Sequence, residues 1–317
     1  MSNDGFDGSY NNTHRAFLQS LLARQTITFE DAKPILAAIY TAAEPDRPTL
    51  DGDISQEEFE NMIHALNNEL SPFDLEIRST QHQRSRTRVY ALVNTTSDAL
   101  TQIATSHSAD EIAFVKRTLD AMFETYNTRR AEVMAITSIQ ALELAKGDAT
   151  QRDGATQTAA ASVGLTKSQA ERTLSTLVAE GWYELSQAGY YSLSPRALME
   201  LKGWLIDSYN YEEGEGDDEE GGYDRIKFCQ ACREIVTIGQ RCPHLACNAR
   251  IHEYCVRKIF RAQQMREECP VCKTAWAQGL PVGEKASRNG RSGSGRRSTN
   301  GPHRSSNIGA NGPEDQE

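Results

Sequence analysis

The stretch from Cys229 to Cys272 reads CQACREIVTIGQRCPHLACNARIHEYCVRKIFRAQQMREECPVC. It contains all seven cysteines of the chain and two of its seven histidines, His244 and His252. The stretch opens and closes on Cys-x2-Cys, a spacing that lets two thiolates of one tight turn bind the same tetrahedral zinc ion. So short and polar a segment cannot fold on a hydrophobic core alone. We therefore expect metal to stabilise it, since structural zinc contributes ~10–16 kcal/mol of apparent binding free energy.

Two zinc ions need eight ligands, and seven cysteines with two histidines offer nine candidates. Cys242, His244 and Cys247 begin the usual RING-finger order, Cys-x-His-x2-Cys-x2-Cys. The next ligand in that order would be Arg250, and arginine cannot bind zinc. Passing over His244 leaves eight ligands with no gap: Cys229, Cys232, Cys242, Cys247, His252, Cys255, Cys269 and Cys272. We therefore interpret His244 as a spare polar residue near the ligands.

The unequal intervals between these ligands favour a cross-braced module, in which alternate pairs share a metal. One zinc ion is then held by Cys229, Cys232, His252 and Cys255, and the other by Cys242, Cys247, Cys269 and Cys272. Val256, Ile259 and Phe260 lie at helical spacing and predict a short helix within the module. The alternative is a disulfide cluster, but the cysteine number is odd and no secretory signal precedes it, which favours zinc.

Length and charge limit the class of protein. A chain of 317 residues allows two or three small domains. The net charge of −10 argues against a protein that coats nucleic acid, although it permits local basic patches. Every apolar run falls short of the ~18 residues of a membrane span. Residues 1–10, which we predict to be disordered, lack the apolar core of a signal peptide. We expect the chain to work in the cytosol or nucleus.

Residues 11–105 have the pattern of a winged-helix domain. Apolar residues at helical spacing predict three helices, which begin near Asn12 or Thr13, after Thr28 and after Ser55. Alternating apolar residues over Phe73–Ile77 and Val89–Val93 then predict a β-hairpin, the wing. Four arginines surround the predicted wing tip: Arg78, Arg84, Arg86 and Arg88. We favour a solvated hairpin, with weak contact to a nucleic-acid backbone as the alternative.

Residues 108–207 predict a second winged-helix domain. We expect helices from Ser108, over Glu132–Lys146, over Thr158–Val163 and over Thr166–Glu180, followed by a hairpin of Trp182–Ser186 and Tyr190–Ser194. The helix Thr166–Glu180 stands where DNA-reading winged helices place their recognition helix. It carries Lys167 and Arg172 but also Glu171 and Glu180, and so lacks the basic excess of a DNA reader. The pattern favours protein docking.

Two segments of biased composition flank the cysteine-rich stretch. The segment 208–226 contains EEGEGDDEE, which repels itself and cannot bury a core, so we predict an acidic flexible linker. Residues 281–317 are rich in glycine, serine and arginine and predict a disordered tail. The zinc module then occupies 227–280. The predicted fold class is α+β, with tandem winged-helix domains followed by a small two-zinc, cross-braced RING-like domain.

The ligand order suits two kinds of zinc module, a PHD finger that reads histone tails or a RING variant that recruits a ubiquitin-conjugating enzyme. A PHD finger carries an aromatic residue two positions before its seventh ligand, where this chain has Glu267. The last pair, Cys269-Pro270-Val271-Cys272, has the Cys-Pro-x-Cys order typical of RING fingers. The pattern favours a RING.

RING ligases position a charged conjugating enzyme and perform no covalent step themselves. Their docking surface uses an apolar residue in the first Cys-x2-Cys turn, another four positions past the sixth ligand, and the proline of the last pair. These positions are Ala231, Ile259 and Pro270, and Lys273 stands where an arginine often clamps ubiquitin. Ala231 is small and Lys273 lacks the planar guanidinium fork, so we expect weak activity without a partner. The alternative is a non-catalytic module that braces an assembly.

These features together resemble one family, the non-structural maintenance of chromosomes element one family. The resemblance covers roughly residues 11–280 and includes His14-Arg15-x-Phe17-Leu18-Gln19, Glu180-Gly181-Trp182 and Trp276. It implies a ubiquitin ligase subunit of the complex built on structural maintenance of chromosomes proteins five and six. It also implies a melanoma-antigen-like winged-helix partner, a kleisin partner, a role in DNA repair and recombination, and a place on chromosomes in the nucleus.

Overall fold

The computed structural model describes residues 10–96, 103, 106–146, 164–210, 224–264, 266–276 and 279–287. Some predictions therefore lie partly or wholly outside the described residues. They are the disordered segment 1–10 apart from Tyr10, the helix Thr158–Val163, and the acidic run 212–220. The predicted tail also lies outside them from residue 288 onward.

The first winged helix has the predicted three helices and a hairpin. Its elements are α1 (Asn12–Arg24), β1 (Thr26–Thr28), α2 (Phe29–Ala43), α3 (Gln56–Leu70), β2 (Leu75–Gln81) and β3 (Arg88–Asn94). Ser55 caps α3 through a reciprocal capping box with Glu58, as the spacing predicted. The cap of α1 is Asn11, whose side chain accepts the Thr13 N–H, and so lies just before the predicted positions.

The sheet of this domain has the order β1-β3-β2, with both pairs antiparallel. The short strand β1 was not predicted, because three residues are too few for a period of two to be recognised. Phe73 lies before the hairpin in a 3-10 turn and is 71% exposed, so the strand begins at Leu75. Phe17, Leu36 and Phe59 are fully buried between the helices.

The second winged helix differs from its prediction before α6 and after its hairpin. Its elements are α4 (Ala109–Asp120), β4 (Ile136–Thr137), α5 (Ser138–Glu143), α6 (Lys167–Ala179), β5 (Tyr183–Leu185), β6 (Tyr190–Leu193), α7 (Pro195–Glu200) and α8 (Lys202–Tyr209). The predicted helix Glu132–Lys146 is wrong over its first half. Glu132 pairs with Asn127 in an isolated β-bridge, and Ile136–Thr137 pairs with β6. The apolar run Val133–Ile136 fits a buried strand and a helix equally well, which explains the error.

Of the remaining elements, α6, β5 and β6 follow the prediction closely, whereas the helices α7 and α8 were not predicted. Thr166 caps α6 by accepting the Gln169 N–H, and Gly181 follows its end with a φ of +74°. The sheet order is β4-β6-β5. The last helix, α8, continues to Tyr209, past the predicted domain boundary at 207.

In its described residues, the zinc module contains a three-stranded sheet and one helix. Its elements are β7 (Gly239–Arg241), β8 (Arg250–Ile251), α9 (Glu253–Ala262) and β9 (Leu280–Val282), with the sheet order β8-β7-β9. The helix α9 confirms the one predicted from Val256, Ile259 and Phe260. Strand β9 lies partly in the predicted tail, so the boundary at 281 is wrong. Val282 is buried and pairs with Gly239, which gives this part of the chain a fixed place.

The module packs against both winged helices. Its buried residues form one hydrophobic cluster with those of the second domain, and Ile226 at the end of the predicted linker belongs to it. The Asn210 side chain holds Ile226 in place through two hydrogen bonds. It accepts the Ile226 N–H at 2.8 Å and donates to the Ile226 carbonyl at 3.1 Å. The first domain has a separate core. Within the described ranges, no helix combines the length and hydropathy that a membrane crossing requires.

Candidate metal centre

The first cluster combines a Cys-x2-Cys pair with a His-x2-Cys pair, as the spacing predicted. The ligand atoms of Cys229, Cys232, His252 and Cys255 all lie within 4.8 Å of one another. His252 Nδ1 faces Cys232 Sγ at 3.3 Å, and its other ring nitrogen, Nε2, lies 3.1 Å from the Ile235 carbonyl oxygen. Nδ1 is therefore the ligand atom, and Nε2–H donates to the carbonyl, an arrangement that fixes the ring.

The second cluster consists of Cys242, Cys247, Cys269 and Cys272, again within 4.8 Å. Cys242 Sγ lies 3.5 Å from Cys272 Sγ, and Cys247 Sγ lies 3.7 Å from Cys269 Sγ. Tetrahedral zinc with bonds of ~2.3 Å separates two sulfur atoms by about 3.8 Å. A disulfide would bring them to ~2.05 Å. The distances fit a shared metal ion, and each cluster takes its ligands from two separate parts of the stretch, which is the predicted cross-brace.

Hydrogen bonds and burial shift the pKa values of the ligand thiols in opposite directions. The hydrogen bond with Cys232 lowers the pKa of Cys229 to about 3, whereas the bond with Cys229 raises the pKa of Cys232. The Thr274 hydroxyl lowers the pKa of Cys272 to about 6, whereas burial raises that of Cys242. Several thiolates cannot share so small a volume without a cation. The donor set therefore fits zinc, which stabilises them all as thiolates.

The first and last Cys-x2-Cys turns share one backbone geometry. Arg233 and Lys273, the residues directly after each pair, have φ values of 63° and 62°. Their N–H groups donate to the carbonyls of Cys229 and Cys269, each at 3.0 Å. His244 lies outside both clusters and is exposed, and its carbonyl accepts the Cys247 N–H at 3.0 Å. It closes a turn between two ligands.

A buried ion cluster joins the module to the second winged helix, and the sequence analysis missed it. Glu132 is 1% exposed and meets Lys227 Nζ at 2.8 Å, Arg241 Nη1 at 3.4 Å and Arg250 Nε at 2.6 Å. Arg250 also donates to the carbonyl of Cys247 at 2.8 Å. Burial opposes ionisation, but the hydrogen bond and charge of Arg250, with the two further cations, lower the pKa of Glu132 to about 2.

The wing of the first domain lies against this module. Arg84 pairs with Glu284 at 2.8 Å and Arg78 with Glu76 at 2.8 Å, so two of the four wing arginines have carboxylate partners. Arg88 donates to the Ser79 hydroxyl at 3.2 Å, and Arg86 is exposed.

The predicted conjugating-enzyme positions lie on three elements of the module. Ala231 is exposed in the first Cys-x2-Cys turn, Ile259 is half-buried on α9, and Pro270 is half-buried in the last turn. Lys273 is exposed, and its ammonium donates to the Pro270 carbonyl at 3.1 Å.

The domain order and the two clusters define the class: a tandem winged-helix protein with a RING-like zinc module. A family model described as Nse1 non-SMC component of SMC5-6 complex matches residues 14–201, and one described as RING-like domain matches residues 229–272. The chain belongs to the Nse1 family.

Named relatives agree with this assignment. The chain is 22% identical over 274 residues to the Homo sapiens non-structural maintenance of chromosomes element 1 homolog, covering 86% of this chain and 87% of the relative. It is 25% identical over 224 residues to the Schizosaccharomyces pombe element 1, covering 71% and 79%. A solved chain from an Nse1-Nse3-Nse4 complex matches the fold with a TM-score of 0.62 and 21% identity, covering 85% of this chain and 98% of that one.

Proposed function

We propose that the chain is a RING-type ubiquitin ligase subunit of the SMC5-6 complex, and that its zinc module recruits a ubiquitin-conjugating enzyme. The observation that carries the proposal is the last zinc turn, Cys269 to Cys272. It projects an apolar surface from a cross-braced module, since Val271 is 56% exposed and Pro270 is half-buried. Such a turn suits docking of a charged conjugating enzyme, whose thioester is then held for attack by a substrate lysine.

The weak points of this surface predict partner dependence. Ala231 offers little area for a conjugating enzyme, and Lys273 gives one ammonium where arginine would give a planar fork. A partner that orders the bound conjugating enzyme would supply what this surface lacks.

The ligase proposal is tested with the zinc-loaded full chain, ubiquitin, the activating enzyme and a panel of conjugating enzymes, with and without the winged-helix partner. We expect chain formation with at least one enzyme, faster with the partner. Pro270→Ala and Ile259→Ala should reduce the rate, whereas Leu245→Ala should not, although Leu245 is 48% exposed on the same module. No activity across the panel would contradict the proposal.

A bracing module is the second candidate, and the Glu132 cluster favours it. Three cations of the module close on one carboxylate of the second winged helix, which suits a part that holds an assembly together. In that case the variants above would leave ubiquitin transfer at background while complex assembly required the module. A PHD-type histone reader has less support, because Glu267 is exposed and stands in place of the expected aromatic residue.

We further propose that the winged helices dock a melanoma-antigen-like subunit and a kleisin subunit, and that the complex acts in DNA repair and recombination on chromosomes in the nucleus. The solved relative comes from an Nse1-Nse3-Nse4 complex, which supports two such partners. The mixed charge of α6 also suits protein docking more than DNA reading. Co-expression with both subunits should yield a complex of defined stoichiometry on size-exclusion chromatography. Separate elution of this chain would count against the docking proposal.

A further inference from the structure

The tip of the first wing reaches the backbone beside the first zinc cluster. Gln83, between β2 and β3, lies against the segment 235–238. Its Oε1 accepts the N–H groups of Thr237 at 3.0 Å and Ile238 at 2.8 Å, and its Nε2 donates to the Ile235 carbonyl at 2.9 Å. The amide thus uses both its acceptor and its donor, which determines its orientation and ties the segment to the first domain.

The carbonyl that Gln83 binds is also the one that holds the histidine ligand. The Ile235 carbonyl oxygen accepts two hydrogen bonds. One comes from His252 Nε2–H at 3.1 Å and the other from the Gln83 side-chain amide at 2.9 Å. A carbonyl oxygen has two lone pairs and can accept both. The partner of the second ring nitrogen sets the tautomer and orientation of a metal-binding histidine, and here that partner is itself held by another domain.

We propose that Gln83 is a positioning residue of the first zinc site. It fixes the Ile235 carbonyl, which in turn keeps His252 Nδ1 directed at the metal. The first winged helix therefore contributes to zinc retention by a module more than a hundred residues further along the chain, since Gln83 and Ile235 are 152 positions apart. The second cluster depends on a different support, because Arg250 donates to the Cys247 carbonyl.

The flanking contacts separate this role from simple docking. His82 Nε2 lies 2.9 Å from a Glu184 carboxylate oxygen on the second wing, and Arg84 pairs with Glu284. Both contacts remain when only the amide is changed. A substitution at Gln83 should therefore leave the wing in place and act on the segment 235–238 alone.

Zinc release provides the test. The full chain carrying two zinc ions is mixed with an excess of the chelating dye 4-(2-pyridylazo)resorcinol, and the colour change is followed. In Gln83→Met, which keeps the length and removes the hydrogen bonds, we expect one ion per chain to leave about fivefold faster, the equivalent of one net hydrogen bond. The other ion should leave at the wild-type rate.

Two further variants sharpen the result. Gln83→Glu keeps an acceptor for the Thr237 and Ile238 N–H groups but sets a carboxylate oxygen against the Ile235 carbonyl, so it should release the same ion at least as fast. Gln81→Met is the matched control, because the Gln81 amide donates to the Arg86 carbonyl within the wing at 2.9 Å. It should behave as wild type.

A second readout reports the histidine itself. In nitrogen NMR spectra, the Nε2–H proton of His252 should exchange faster with water in Gln83→Met than in wild type, with Nδ1 still the metal-bound nitrogen. Unchanged release of both ions in both Gln83 variants would overturn the proposal. So would equal acceleration of both ions together with a lowered unfolding temperature, because that pattern indicates general destabilisation. Since the readouts are metal release and proton exchange, the outcome does not depend on ubiquitin transfer.

Discussion

Replacement of Glu132 by glutamine should destabilise the folded chain by about 3 kcal/mol. The carboxylate is 1% exposed, and its pKa is lowered from 4.5 to about 2, against the effect of burial, by the hydrogen bond and charge of Arg250 and the charges of Lys227 and Arg241. That difference in pKa corresponds to about 3 kcal/mol of stabilisation. Loss of one member of a buried ion cluster typically costs a similar ~3–5 kcal/mol, because the remaining charges stay buried.

The measurement is urea unfolding of the zinc-loaded chain at pH 7, followed by circular dichroism. Glu76→Gln is the matched control. It removes a carboxylate from the half-exposed Arg78–Glu76 pair, which should be worth ~1 kcal/mol or less. A free energy of unfolding for Glu132→Gln within 1 kcal/mol of wild type would refute the reasoning. It would mean that the three buried cations do not need the Glu132 carboxylate to remain stable in the folded chain.

The pH dependence gives a second check on Glu132. A carboxyl group whose folded-state pKa is depressed contributes stability above its unfolded pKa of 4.5 and loses it as the pH falls through about 2. Glu132 raises the pKa of Lys227, so this lysine would itself titrate near this range once the carboxylate is lost, and the comparison is therefore made in a Lys227→Met background. In that background the deficit of Glu132→Gln should be constant from pH 8 to pH 5.5, where the carboxylate stays ionised in both states. A deficit that shrinks within that range would mean that the carboxylate is not held by the three cations.

Three more outcomes are expected. His252→Ala should bind fewer than two zinc ions per chain by metal analysis, whereas His244→Ala should keep both; the reverse result would overturn the ligand assignment. Burial lowers the pKa of Lys227 from 10.5 to about 8, so the unfolded chain binds the extra proton between these values and stability contributed by this lysine rises with pH across them. Lys227→Met should remove that rise in the free energy of urea unfolding. If the first wing touches a nucleic-acid backbone, Arg86→Ala with Arg88→Ala should weaken duplex binding and lower the salt slope by about 2, since each phosphate contact adds roughly 0.9; an unchanged slope would leave the wing as a solvated hairpin.

Local chemistry explains why the zinc ligands and most helices were predictable. Cys-x2-Cys turns, the need for eight ligands and the exclusion of Arg250 define the clusters without any knowledge of the fold. The capping boxes at Ser55 and Thr166 each involve residues only three positions apart, so they mark the start of α3 and of α6 from local sequence. Each of these signals spans only a few residues, so the sequence alone carries it.

The contacts between domains carry no such local signal. Glu132 and Arg250 are 118 positions apart, and an isolated glutamate before an apolar run is typical of the first turn of a helix. The same glutamate in the fold ends up opposite three cations of a different domain. Strands β1 and β4 were missed for a related reason, since each is three residues or shorter and gains its place only by pairing with a distant strand.

Arg250 links the zinc chemistry to the orientation of the module. At this position the usual RING order requires a metal ligand, and the chain uses His252 and Cys255 in place of His244 and residue 250. In the sequence the arginine lies between Cys247 of the second cluster and His252 of the first, and its guanidinium donates both to the Cys247 carbonyl and to the Glu132 carboxylate. A cysteine at 250 would restore the usual order but leave the buried carboxylate without its bidentate partner. The residue that departs from the common ligand order is therefore also one of the contacts that hold the module on the second winged helix.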